Sequence, residues 1–349
     1  MRIGVDVRPL TVPTFGIGRY TKALLERLIV LGEHHWFLYA DRPLPGEWPT
    51  NVTVRHFSTH NRLMSLGRTQ LTFAHWAALD ELDVFWSPRH HLPVLLDLPQ
   101  VVTVHDLVWK KFPETMVPAN RMIERLLMPG SVRLAQKVIA VSEATRNDLI
   151  NDLDVDADKI HVVYEAADDR SNSCLDRKIL ENYFFFVGTN EPRKNLDRLV
   201  AAHKKYLHDG GDHSLVIAGS AGWGENLTLH DGVKVLGYVS DERLDNLISH
   251  SSALLLPSLY EGFGLPLLEA IQRNVPVISS DVSSMPEIVG NAGILVNPQS
   301  VTSISSAMEK MSRLEVRNLY AKNCVAQAAK FSWDDAAQAT SQILESVVR

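Results

Sequence analysis

Short runs of β-branched and aromatic residues alternate along the chain with stretches in which apolar residues recur at helical spacing. Residues 3–7 predict a first strand, and Ala23, Leu24, Leu28 and Leu31 then place an apolar stripe along a helix over 20–31. Strands are expected at 36–40, 52–57, 84–86, 101–104, 138–141 and 160–164, with helices over 121–135 and 143–149 among them. The stretch 166–175 is polar and irregular and reads as a linker. Beyond it the pattern restarts, with strands at 184–187, 215–218, 233–236, 253–256, 275–279 and 294–296 and an amphipathic helix over 333–348. Such alternation implies an α/β fold of two Rossmann-like, doubly wound parallel-sheet domains. The expected domains are 1–170 and 171–332, with a C-terminal helix at 333–349 packing back toward the first domain. Ligands of such sheets sit at the carboxyl ends of the strands, so the expected site is a cleft between two facing domains.

Composition narrows the function classes. At 349 residues, 45% hydrophobic and 22% charged, the chain has enough apolar material for two cores. A net charge of −6 lacks the positive field that drives phosphate-backbone binding, so no nucleic-acid partner is expected. The two cysteines, Cys174 and Cys324, have no metal-ligand spacing and read as free thiols of a reducing cytosol. The opening Met1-Arg2 runs straight into an alternating apolar segment, so no signal peptide is expected, and no apolar run reaches the ~18 residues of a membrane-spanning helix. A cytoplasmic protein is expected.

Candidate chemistry gathers at strand ends in the second half. The segment Leu259-Tyr-Glu261-Gly-Phe-Gly-Leu-Pro-Leu-Leu-Glu269 follows a strand and leads into a helix whose first turn accommodates Pro266. Gly262 and Gly264 let backbone approach a ligand, and the helix start favours phosphate. Two carboxylates beside a phosphate cradle make sense if hydroxyl-rich groups lie on each side, since a carboxylate accepts sugar hydroxyls well. The segment Gly188-Thr-Asn-Glu-Pro-Arg193-Lys194-Asn195 also follows a strand, and Asn195 or Asp197 suits the cap of the next helix. Adjacent cations there fit a diphosphate and would stabilise it as a leaving group. Gly219 closes a third strand. Tyr238 and Val239 follow a fourth, where backbone atoms could bind a base edge. Read singly, each charge is as readily a solvated surface group.

In the first half, Phe15-Gly16-Ile17-Gly18-Arg19-Tyr20 fails as a dinucleotide fingerprint, because Thr21 stands where the third glycine belongs. It reads instead as a cleft loop that approaches donor phosphates or acceptor. His105-Asp106 ends a strand and faces the same expected space. Ser142 suits either the cleft or a helix N-cap. The aspartates 152, 154, 156 and 158 resemble a calcium loop, but Ala157 and Val163 stand where glycine and glutamate are needed. His34-His35 and His90-His91 lack the spacing of a metal site. Cations at Lys110, Lys111, Arg121, Arg125, Arg133 and Lys137 interleave with Met116, Met122, Leu126, Leu127 and Met128, which suits either an ordinary charged helix face or contact with anionic lipid.

The pair Glu261 and Glu269 in EGFGLPLLEA resembles the signature of glycosyltransferase family 4, as VGTNEPRKN resembles its phosphate loop. GIGRY and the His-Asp pair at 105–106 match the family's N-terminal motifs, so the resemblance spans nearly the whole chain. It implies a GT-B fold and retaining transfer that needs no metal or other cofactor. It implies that His105 lies at the reacting sugar, that Arg193 and Lys194 bind the diphosphate, and that Glu269 binds the ribose. Glu261 would contact the donor sugar, helped by the backbone of Gly262, Phe263, Gly264 and Leu265, with Gly16, Gly18, Gly188, Gly219, Tyr238 and Val239 completing the donor site. Arg19, Tyr20 and Asp106 are acceptor-side candidates. The opening 1–20 is most similar to bacterial mannosyl- and rhamnosyltransferases of surface polysaccharides. The expected partners are therefore a nucleotide-sugar donor, preferably GDP-linked, and an oligosaccharide acceptor carried on lipid at the inner face of the plasma membrane. A UDP- or dTDP-linked donor, or a non-catalytic sugar-nucleotide binder, are the alternatives.

Overall fold

The computed structural model describes residues 1–11, 16–58, 62–167, 182–224 and 227–348. The expected linker over 166–175 lies largely outside the described residues, as do Phe15 and Cys174. The chain folds as two compact units. One comprises Met1–Lys111, Pro118–Glu165 and Ser332–Arg349; the other comprises Phe112–Val117 and Ala166–Phe331.

The first unit is built on seven strands: β1 (Arg2–Asp6), β2 (His35–Ala40), β3 (Val52–His56), β4 (Val84–Ser87), β5 (Gln100–Val104), β6 (Lys137–Ala140) and β7 (Ile160–Val162). Their order is β3-β2-β1-β4-β5-β6-β7, with every pairing parallel. β1, β4, β5 and β6 are buried nearly end to end, as expected for strands covered on both faces. The second unit has β8 (Tyr183–Val187), β9 (Ser214–Ala218), β10 (Val233–Gly237), β11 (Ala253–Leu256), β12 (Val277–Ser280) and β13 (Gly293–Val296), in the order β10-β9-β8-β11-β12-β13. These pairs too are all parallel.

Both orders reverse once, between β1 and β4 and between β8 and β11. Right-handed crossovers then place successive helices on opposite faces to either side of that point. The two loops at the reversal leave in opposite directions, which opens a crevice at the carboxyl ends of the central strands.

The helix Trp333–Ser346 closes the first unit. Trp333 is buried, with its ring 6.0 Å from that of Tyr20 on the helix Ile17–Leu28. Arg27 of that helix pairs with Asp334 at 2.8 Å. The short segment Phe112–Val117 packs within the second unit: the Phe112 ring lies 5.7 Å from that of Tyr260, and Trp223 Nε1 donates to the Thr115 carbonyl at 2.7 Å.

Several helices carry no clear amphipathic stripe in the sequence. Leu314–Ala328 exposes Leu314, Leu319 and Val325 and buries only Cys324 and Gln327. Gln327 is held because its amide donates to the carbonyls of Glu287 and Ile288, both at 2.9 Å.

Candidate functional site

The crevice between β8 and β11 holds a cluster of four charged side chains, Glu191, Arg193, Lys194 and Glu261. After β8 the chain reaches Glu191 and makes one tight turn, Pro192–Lys194. After β11 it reaches Glu261. The two loops are bound together before any side chain is considered, since Leu259 N donates to the Arg193 carbonyl at 2.8 Å. Asn195 then bridges three loops. It takes a left-handed backbone (φ 63°) at the end of the turn, and its buried amide donates to the carbonyls of Pro257 at 2.8 Å and Pro298 at 2.7 Å. The expected capping bond from its side chain is not made; the amide ties loops instead.

Glu261 lies between the two cations. Its Oε1 accepts from Lys194 Nζ at 2.6 Å and from Ser258 Oγ at 2.7 Å, and its Oε2 accepts from Arg193 Nη1 at 2.7 Å. Arg193 Nε also faces Glu191 Oε2 at 3.0 Å. Burial alone would push the Glu261 carboxyl up. The charges of Arg193 and Lys194, with the bonds from Lys194 and Ser258, outweigh it and bring the group down to about 2. Lys194 is pulled below the ordinary lysine value, by burial first and by Arg193, against the attraction of Glu261. Its charged form is therefore under-compensated, and an anion arriving beside it would be stabilising.

Serines from the β12 end hold the Glu261 loop. Ser284 Oγ donates to the carbonyls of Glu261 at 2.9 Å and Phe263 at 2.8 Å, Ser283 Oγ reaches the Glu261 carbonyl at 2.5 Å, and Ser280 Oγ reaches that of Ser258 at 2.6 Å. Gly264 (φ 105°) turns the chain into the helix Leu265–Gln272, in whose second turn Glu269 is buried. On the other flank, Gly219 has φ 140°, and a Cβ there would lie 2.0 Å from the Gly188 carbonyl. Only glycine allows the loops after β8 and β9 to touch in this way. Gly219 N donates to the Gly237 carbonyl at 2.9 Å, which extends the row of joined loops to Tyr238, exposed, and Val239, half-buried. The structure thus brings Gly188, Arg193, Lys194, Gly219, Glu261, Gly262, Phe263, Gly264, Leu265 and Glu269 onto strand ends of one unit. The Glu261 carboxylate also faces Arg193 and Lys194, a pairing that the sequence reading did not include.

In the first unit His105 follows β5 and is buried. Its Nε2 lies 2.9 Å from the Pro88 carbonyl, which can only accept, and its Nδ1 lies 3.0 Å from Glu165 Oε1. The His105 backbone N–H donates to His90 Nε2 at 3.1 Å, while His90 Nδ1 and His91 Nε2 share Glu124 Oε2 at 3.1 and 3.0 Å. Tyr20 is wholly buried, with its ring edge-on to His105 at 4.7 Å and its hydroxyl 3.3 Å from Thr103 Oγ1. It therefore supports His105 from within the core and does not face an acceptor. Gly16 is exposed at the start of the helix Ile17–Leu28, Gly18 is buried within it, and Arg19 is half-buried. Asp106 Oδ1 accepts from Val108 N at 3.1 Å and so caps the next short helix. Ser142 is a helix N-cap, accepting from Thr145 N at 3.0 Å.

Sequence reasoning missed several groups. Asp6 at the end of β1 is fully buried and binds Arg8 through two bonds, Nε at 2.8 Å and Nη2 at 2.6 Å, while Arg8 Nη1 donates to Thr69 at 2.9 Å. Glu165, Glu124, Ser258 and Glu191 are further partners that local spacing does not reveal. The available signal was their position one to four residues beyond a strand end, or opposite a histidine.

The charge pairing of Glu261 has a pH signature. Its folded-state value lies below the ordinary 4.5, so its stabilisation is whole above pH ~4.5 and is lost as pH falls toward 2. Glu261→Gln leaves buried Lys194 and half-buried Arg193 under-compensated and is expected to cost about 3 kcal/mol at pH 7. In urea titrations the gap from the native chain should shrink as pH is lowered from 4.5 toward 2. A gap that stays constant over that range would contradict the pairing.

Residues 15–170 match the family model described as Glycosyltransferase Family 4, and residues 176–331 match Glycosyl transferases group 1. The chain is 31% identical to the O-antigen chain mannosyltransferase B of Escherichia coli, over 96% of this chain and 97% of that protein. It is 30% identical to the O-antigen chain mannosyltransferase RfbU of Salmonella typhimurium, over 69% and 70% of the two chains. Among solved structures, HepE of Anabaena in complex with UDP-glucose shares the fold with a TM-score of 0.74 at 18% identity, covering 99% of this chain and 100% of that one. With two doubly wound parallel sheets, and with family models matching both halves, the chain is a glycosyltransferase and belongs to glycosyltransferase family 4.

Proposed function

We propose that this chain transfers a hexose, mannose or a related deoxyhexose, from a GDP-linked donor to a growing surface polysaccharide, with retention at the anomeric carbon. The observation that carries this reading is the pair of cations, Arg193 and Lys194, held by one buried carboxylate at the β8–β11 reversal. Fixed cations in a partly dry site stabilise charge as it develops, without reorganising at the moment of reaction. The preference for mannose is supported by the similarity to O-antigen mannosyltransferases.

In this reading the diphosphate lies against Lys194 and Arg193, and Glu269 takes the ribose hydroxyls. Gly188, Gly219 and the backbone at Tyr238–Val239 line the nucleotide. Glu261 anchors both cations and offers its Oε2 to a donor-sugar hydroxyl. His105 is the first unit's contribution in this reading, with both ring nitrogens held by Glu165 and the Pro88 carbonyl. As the C–O bond to phosphate breaks, the electron pair passes to the diphosphate. The acceptor oxygen enters on the same face, and its proton goes to the departing phosphate. No metal or other cofactor takes part.

The acceptor is a lipid-linked oligosaccharide in this proposal. Among the described residues no helix is long and apolar enough to cross a membrane. The helix Pro118–Leu134 does expose Met122 and Leu126, at 55% and 68%, beside exposed Arg121, Arg125 and Arg133. Apolar side chains flanked by cations suit a peripheral seat on anionic lipid at the inner face of the plasma membrane.

Turnover of GDP-, UDP- and dTDP-sugars with a lipid-linked oligosaccharide acceptor tests the proposal. GDP-mannose should be used fastest, and Lys194→Ala should lower kcat at least about a hundredfold. Near-native turnover in that variant would sink the site assignment, and a faster UDP-sugar would replace the donor. Separately, Arg125→Glu with Leu126→Glu should weaken sedimentation with anionic vesicles about tenfold or more while GDP binding is unchanged. Equal vesicle binding by the variant would remove the membrane seat.

A further inference from the structure

The charges around Arg193 do not favour anion binding as strongly as two adjacent cations would. Two carboxylates, Glu191 and Glu261, face the two cations, so the four side chains together carry no net charge. Glu261 has a structural reason to be there, because it is buried and tied to Ser258, Lys194 and Arg193. Glu191 has no such anchor role. Its carboxylate faces Arg193 Nε at 3.0 Å, with side-chain exposures of 16% for Glu191 and 18% for Arg193. Its backbone is fixed: Glu191 N donates to the Thr189 carbonyl at 2.8 Å, and its own carbonyl accepts from Lys194 N at 2.9 Å. The carboxylate is thus held on the loop that carries the phosphate-binding cations. It is partly shielded from water, where Coulomb interactions are screened less than on an open surface.

We propose that Glu191 sets how firmly the site grips a diphosphate, weakening its hold on the released nucleoside diphosphate more than its hold on the intact sugar nucleotide. The inference rests on the donor-site reading above. In the sugar nucleotide the terminal phosphate is esterified and the diphosphate carries two negative charges. When the C–O bond breaks, the electron pair stays on the phosphate oxygen, and a terminal phosphate group with a second ionisation near 6 then gains close to one further charge at neutral pH. A fixed carboxylate repels that extra charge, so its effect falls on product more than on substrate. Glu191 is in this sense a specificity-determining residue for substrate over product, and its chemical consequence is faster product release.

The test is calorimetric titration of the native full-length chain and of Glu191→Gln and Glu191→Ala with GDP and with GDP-mannose, the donor in the absence of acceptor. Both variants are expected to bind GDP about tenfold more tightly than the native chain and GDP-mannose no more than about threefold more tightly. They should also show stronger inhibition by added GDP during turnover. A residue that merely oriented Arg193 would give the opposite sign, with weaker binding on substitution. GDP affinity that is unchanged or weaker in both variants, or a gain equal for GDP and GDP-mannose, would overturn the inference. If the native chain binds none of GDP, UDP and dTDP, the donor-site reading itself fails, and this inference with it. Native binding with no differential effect in the variants defeats the inference alone.

Discussion

One buried carboxylate organises the strand-end crevice of the second unit. Glu261 sits between Arg193 and Lys194, on a loop from the other side of the point where the strand order reverses. Without it, two cations would be held close together and partly dry, at a cost of several kcal/mol. With it, the loops after β8 and β11 are joined through side chains as well as backbone, and both cations are fixed before a ligand arrives. Preorganised charge of this kind acts on a departing diphosphate without a reorganisation penalty.

The surroundings of Glu261 follow from the need to hold that carboxylate still. Ser258 takes a bond on Oε1, and Ser280, Ser283 and Ser284 fix the backbone on which it rides. Asn195 adopts a strained left-handed backbone and donates to the loops after β11 and β13. Gly219 permits contact with Gly188 that any side chain would block. The first unit shows the same logic at its strand ends: buried Asp6 grips Arg8 after β1, and His105 after β5 is fixed through Glu165 and the Pro88 carbonyl.

The α/β architecture was legible because buried parallel strands are short, continuous apolar runs, and the described strands fall on the runs at 3–7, 101–104, 184–187 and 253–256. The helix Leu314–Ala328 was not, because its apolar residues fall on no single face and its buried anchor is the polar Gln327. In the site, Arg193, Lys194, Glu261 and Glu269 were legible as charges at strand ends within a family-like motif. Their arrangement was not: Lys194 and Glu261 are 67 positions apart, and nothing in local spacing says that the carboxylate turns to the cations. His105 was legible as a strand-end histidine, but its partner Glu165 lies 60 positions away. Tyr20 followed a glycine-bearing motif and was expected at the acceptor, whereas helical periodicity places it on the inward face, against Trp333. Pairings across distant loops are set by topology, which periodicity does not encode.

The central claim is that Lys194 and Arg193, held by Glu261, receive the diphosphate. The most direct measurement is a crystal structure of the full chain with GDP-mannose bound. The account predicts phosphate oxygens within hydrogen-bond distance of Lys194 Nζ and the Arg193 guanidinium, with Glu261 still bonded to Lys194. A diphosphate bound elsewhere in the second unit, with the Arg193–Glu261–Lys194 set untouched, would contradict it.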